Sequence, residues 1–186
     1  FYLALGLALG RFSTASMTLL ARAFVALGVI FLSAAIPFAL AADTTAGVWA
    51  LEGAGLLWIG YRQGQPLTRI FGLVLQAGAA VSLIAGLPYP VSAPFANSFY
   101  IGSVMIALAG LVSAYWLDRA DTGRQGWERG GASWLLIWGL LWWLGAGAVE
   151  LQRAEPGAGF PAAWLWYGLL SVALTEGLAS LVVWPR

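Results

Sequence analysis

Three polar side chains, Glu52, Gln76 and Glu176, lie within long apolar runs, and a fourth, Glu150, closes one. Polar groups in such places do one of two kinds of work: they take up protons or cations along a pathway, or they hydrogen-bond across helices and hold them together. Glu52 falls roughly 10 Å below a membrane surface if its helix begins near Thr45, at about 1.5 Å of rise per residue. A charge at mid-span costs roughly 3 kcal/mol. Glu52 is therefore expected to face protein and to have a partner. Gln76 is flanked at helical spacing by Gly72, Ala79 and Ala80, small neighbours that permit close backbone approach and mark an inward face. Glu176 lies about 12 Å from the inner end of its run, with Ser180 one turn on and Ser171 and Thr175 one turn apart. Glue and pathway both remain open on these residues.

Other chemistry is narrowed by what the chain lacks. It has no Cys, no His and no Lys, which removes thiolate nucleophiles, disulfides, Cys/His metal sites, His bases and Schiff-base lysines. No phosphate-cradling glycine loop, nucleophile elbow or metal-ligand spacing is present. No cofactor is implied, and an enzyme is disfavoured. Carboxylate chemistry on a lipid-linked substrate is the one enzymatic reading left, with Glu52 and Glu150 as the nearest approach to a pair. The net charge of +1 and the scattered arginines provide no basic field for nucleic acid.

The elements that must position these residues are set by composition. The 186 residues are 61% hydrophobic and 9% charged, against roughly a quarter charged in soluble domains. Such a chain cannot coat a water-soluble globule, and its length suits about six or seven spans of roughly 20 residues. Residues 1–186 read as a single transmembrane region. An apolar stub, Phe1–Gly10, is followed by runs at Ala23–Ala42, Thr45–Tyr61, Ile70–Leu87, Ser98–Leu117, Ala132–Val149 and Ala162–Val183. The three prolines of Pro88–Asn97 break the chain. Asp118–Gly131, the charge-rich joint, is expected to form a short surface helix or to lie hydrated. The expectation is an all-α polytopic bundle of six complete spans plus a partial first one, as part of a longer multi-pass protein.

If each run crosses once, eight of the nine arginines fall on one side and Arg153 alone on the other. That segregation places the Arg-rich side, with the C-terminus, in the cytoplasm. Asp43, Glu52, Glu150 and Glu155 then gather toward the outer side, either as a negative mouth that concentrates cations or as hydrated loop acids. Most tryptophans, Trp49 and Trp58 among them, fall near run ends, as in an interfacial belt. Trp138, Trp142 and Trp143 lie deeper, as packing bulk or as the wall of an aromatic groove.

The pattern W-x-L-E-G-A-x-L-x-W-x-G-x-R, from Trp49 to Arg62, together with "PFANSFYIGSVMIALAGLVSAYWL" and "WLLIWGLLWWLGAGAVE", resembles the bacterial predicted membrane proteins grouped as the domain-of-unknown-function 2339 family. The resemblance runs from roughly Asp43 to the end of the chain. It implies a multi-pass inner-membrane protein with further spans, and it makes Glu52 part of a motif, while assigning no reaction, substrate or site. The expected function is a non-enzymatic structural or assembly module, with a proton- or cation-coupled conduit through Glu52 and Glu176 as the alternative. Its expected partners are the lipid bilayer and further transmembrane helices of the same protein, and no small-molecule or ion ligand is specified.

Overall fold

The computed structural model describes residues 21, 24–25, 27–33, 35, 42–88, 93–119, 128 and 130–181, and the side chains of all of these except 42–44 and 177–181. The stub Phe1–Gly10 and most of the joint after Asp118 lie outside the described residues. Five helices follow in order: α1 (Ala42–Arg62), α2 (Pro66–Ala85), α3 (Ser98–Arg119), α4 (Gly131–Ala154) and α5 (Phe160–Leu181). Helical residues among 21–35 precede them. The described chain is all-helical.

Each of the last five apolar runs is thus a helix, and the ends follow local chemistry. Pro66 opens α2 at a position where its missing N–H costs nothing, directly after a turn in which Gly64 takes φ +65°. α4 runs five residues past Val149, through Glu150–Ala154, because these residues are sound helix formers and Pro156 lies just beyond. Glu150 therefore sits on a helix rather than in a joint. Among the described residues three helices, α2, α3 and α4, are long and apolar enough to cross a membrane. α1 is diluted by Glu52 and by Gly47, Gly53, Gly55 and Gly60.

α1 and α2 form one tight hairpin, α3 and α4 a second, and α1 packs on α3 to join them; α5 lies along α4 and reaches α3 through Tyr167 and Tyr100. The core gathers Ala46 and Ala50 of α1, Ala79, Ala80 and Leu83 of α2, and Ile106 and Ala109 of α3. Small residues dominate because lipid gives no hydrophobic reward for helix association, so close packing must supply it. On α1 the buried stripe is Ala46, Ala50, Gly53, Leu57 and Gly60, spaced by fours and threes as one helix face requires. The glycines of the W-x-L-E-G motif are thus contact points.

A methyl placed on Gly53 would stand 2.6 Å from the carbonyl oxygen of Gly72, and one on Gly72 would meet Gly53 in the same way. Gly139 of α4 is pressed likewise against α3, its added methyl 2.8 Å from the Ala107 carbonyl oxygen. Backbone cannot yield as a side chain can. Gly53→Leu is expected to cost at least the about 1–3 kcal/mol typical of overpacking, measured as a lower thermal midpoint in detergent. An unchanged midpoint would mean that the α1–α2 crossing is looser than this.

Candidate functional site

The inward face expected for Gln76 is the face α2 buries: Arg69, Gly72, Leu75, Gln76, Ala79, Ala80 and Leu83. From there the Gln76 amide reaches α3, its Nε2 donating to Ser113 Oγ at 2.8 Å. The other pole of the amide, Oε1, is buried without a hydrogen-bond partner among the described residues. Glu52 points elsewhere. Its Oε1 accepts from the hydroxyl of Ser33, while Oε2 is buried with no partner among the described residues. Trp49 donates its indole N–H to the Ser33 carbonyl oxygen at 2.8 Å, so this ring, expected to be wet at the membrane surface, instead ties α1 to the preceding helical segment.

Glu150 is fully buried, in contrast to a hydrated loop acid. Oε2 accepts from the Phe95 N–H at 2.9 Å and from Asn97 Nδ2 at 2.7 Å, and Oε1 from Arg153 at 2.6 Å. Asn97 in turn accepts the Tyr100 N–H at 2.9 Å on its Oδ1, capping α3 at its N-terminus. Phe95 holds φ +62°, an uncommon conformation for a residue with a side chain, and in it the N–H meets the carboxylate. The proline-rich joint is therefore fastened to α4 by an acid already matched with an arginine. Its charge adds nothing to a negative mouth. Glu155 is exposed, and the Asp43 side chain lies outside the described residues.

Glu176 is exposed on α5. The helix-crossing bonds of α5 come from its neighbours instead: Tyr167 donates to the Trp143 carbonyl oxygen at 3.0 Å, and Trp143 Nε1 donates to Ser171 Oγ at 2.8 Å. Thr175 bonds back onto its own helix. Glu52, Gln76, Glu150 and Glu176 share no hydrogen bond or ion pair among the described residues, and Glu52 and Glu150 have separate partner sets.

One buried constellation was not foreseen. Arg69 and Glu128 form an ion pair at 2.9 Å with both side chains 1% exposed. Arg69 Nε donates to the Gly60 carbonyl oxygen at 3.2 Å, its guanidinium lies 4.3 Å from the centre of the Tyr61 ring, and the Tyr61 hydroxyl donates to Glu128 at 3.1 Å. Glu128 belongs to the joint expected to form a short surface helix or to lie hydrated; the structure folds it back onto the start of α2. Burial follows from pairing, because an arginine in the first turn of α2 opposes the positive end of that helix's dipole and needs a nearby anion. Nothing local in "DRADTGRQGWERGG" distinguishes Glu128 from its neighbours.

Directly beside this pair opens a cleft of about 370 Å³, lined mainly by hydrocarbon and indole from α1, α2, α3 and α4. It lies where, among the described residues, the backbones of the first hairpin approach α3 but not α4, with Glu128 of the joint and the indoles of α4 spanning the gap. Gln76 and Glu128 stand on its wall with Trp134 and Trp138. Trp138 also packs edge-on against Trp142, with ring centres 5.9 Å apart, so the deep tryptophans of α4 both fill space and line a groove. Among the described residues no cluster of three or more His, Cys, Asp or Glu could hold a metal ion.

A family model described as predicted membrane protein, DUF2339, matches residues 1–186. No curated protein and no solved structure matches the chain.

Proposed function

Because the chain belongs to the DUF2339 family of predicted membrane proteins, we propose that it is a non-enzymatic structural module, a helical platform within a larger multi-pass protein of the bacterial inner membrane. In this reading the chain spans six times, with a partial first span, and carries its C-terminus and Arg-rich side in the cytoplasm. The segregation of the arginines supports that orientation. The observation that carries the functional reading is the separate capping of the polar groups: Gln76 by Ser113, Glu52 by Ser33, and Glu150 by Phe95, Asn97 and Arg153. A conduit calls for such groups to converge on one water-accessible path. Here each one fastens a different pair of segments.

The open face of α5 supports a role in assembly. Leu165, Trp166, Leu169, Leu170, Val172 and Leu174 are all exposed on it, an apolar surface suited to lipid or to further helices of the same protein. One observation favours the conduit as a second reading: the Oε2 atom of Glu52, buried without a partner among the described residues, is an acceptor that a passing proton could use.

Full-length protein reconstituted in liposomes under a pH gradient separates the two. The structural reading expects proton and cation leak at the level of protein-free vesicles for wild type and for Glu52→Gln, which keeps an acceptor for Ser33. A wild-type flux that Glu52→Gln abolishes in well-folded protein would replace the module with the conduit.

A further inference from the structure

We propose that a second groove, walled by α3 and α4, seats one acyl chain of a phospholipid whose phosphate is held by Arg153. The groove has a volume of about 360 Å³, and Phe99 of α3 lines it together with Trp138, Leu141, Trp142, Gly145 and Val149 along α4. Leu141 and Val149 are exposed, and a methyl added to Gly145 would meet nothing within 4 Å. The groove is therefore apolar and open along its side. From Trp138 to Val149 it runs roughly 16 Å, at about 1.5 Å of rise per residue, which is about half of the roughly 30 Å hydrocarbon thickness of a bilayer. That is the depth of one leaflet.

Register places a cation at the end of this groove. Trp138, Trp142, Val149 and Arg153 follow one another at intervals of four, seven and four residues and so share one helix face. Arg153 stands roughly 16 Å from the midpoint of α4, where hydrocarbon gives way to headgroups. Its guanidinium lies 5.9 Å from the centre of the Phe99 ring, the ring that also walls the groove. Glu150 holds it from behind. One nitrogen of Arg153 donates to Glu150 Oε1 at 2.6 Å, its one hydrogen bond among the described residues. That carboxylate is fully buried, with its other oxygen taken by Phe95 and Asn97, while the Arg153 side chain is 36% exposed. A guanidinium carries five N–H donors, so the bond to Glu150 leaves donors for a phosphate, with which arginine forms strong charge-assisted hydrogen bonds. Glu155, the next acid at this end, rests beside Gly159 of the following joint.

A neutral lipid would supply the chain and nothing for Arg153, and a free phosphate the reverse; a phospholipid supplies both. The site lies in the leaflet at the C-terminal end of α4, the outer one in the orientation proposed above. It requires that α4 cross the bilayer, for which the helix is long and apolar enough, and it is independent of the structural role, since a platform and a conduit could each carry it.

The test uses full-length protein in lipid nanodiscs with two photoactivatable probes that carry the same diazirine-bearing acyl chains: phosphatidylglycerol and diacylglycerol. Crosslinked peptides are read by mass spectrometry. The phosphatidylglycerol probe is expected to label the segments around Phe99 and Leu141–Val149 about tenfold more than the diacylglycerol probe, the discrimination of one charge-assisted hydrogen bond. Arg153→Gln is expected to bring the two probes level. Gly145→Phe fills the groove from its open floor without touching Arg153 or Glu150. It should cut phosphatidylglycerol labelling of both segments about tenfold while the thermal midpoint stays unchanged, so the test survives a poorly folding Arg153 variant. Equal labelling of wild type by the two probes would overturn the proposal, as would labelling undiminished in Gly145→Phe. So would no labelling by either probe, the result expected if a further helix of the full-length protein or a second copy fills the groove.

Discussion

Glu128→Gln is expected to destabilise the protein by about 3–5 kcal/mol, the cost of breaking a buried ion pair from one side, and to lower the thermal midpoint by about 10 °C. The reason lies in what Arg69 is left with. Its guanidinium donates to both carboxylate oxygens of Glu128, at 3.0 and 2.9 Å, and sits 1% exposed. A neutral amide keeps at most one of those acceptors and turns its own N–H groups toward a cation. The Gly60 carbonyl oxygen and the Tyr61 ring hold the guanidinium in place but do not neutralise it. Replacing both partners by apolar residues, Arg69→Met with Glu128→Leu, should recover most of the loss, since matched removal leaves no buried charge. High salt should leave the wild-type midpoint nearly unchanged, because a buried pair is poorly screened. A Glu128→Gln midpoint within a degree of wild type would show that the pair is wet in solution.

Glu150→Leu is expected to cost about as much, roughly 3–5 kcal/mol, but with a different signature. Three donors lose their acceptor together: the Phe95 N–H, the Asn97 amide and the Arg153 guanidinium. Arg153 is 36% exposed and can turn to water; the other two sit in the joint that enters α3. The loss should therefore appear as new protease cleavage near Phe95 as well as a lower midpoint. Glu150→Gln is the informative contrast. Its carbonyl oxygen can still serve Phe95 and Asn97, surrendering only the contact with Arg153, so its effect should be about 1 kcal/mol, that of a partly exposed pair. Equal damage from Gln and Leu would mean that the arginine, rather than the joint, is what Glu150 holds.

The helices were legible because their evidence is local. Apolar runs of the right length, the prolines of residues 88–97 and the small residues around Gln76 placed α2 to α5 and the buried face of α2 without any knowledge of the packing. Partners were not legible. Gln76 finds Ser113, 37 residues away, Glu52 finds Ser33, 19 away, and Glu150 finds Asn97, 53 away, and each of these meetings depends on which hairpin packs on which. Glu150 was misplaced into a joint because a short charged stretch after an apolar run looks like a loop, although its residues continue the helix. Glu128 was missed for a related reason: a charge in a hydrated joint and one folded back under a helix start have the same sequence. Glu176 marks the converse case, a polar residue in an apolar run that faces outward because α5 packs its backbone only on α4 among the described helices.

The separation of Arg69 from Glu128 by 59 residues bears on how the protein is made. During synthesis the first hairpin emerges with its guanidinium uncompensated, and its countercharge arrives only after α3 has followed. Docking of the second hairpin on the first is thereby tied to the late delivery of one carboxylate, which acts as a latch closed from the translation-distal side.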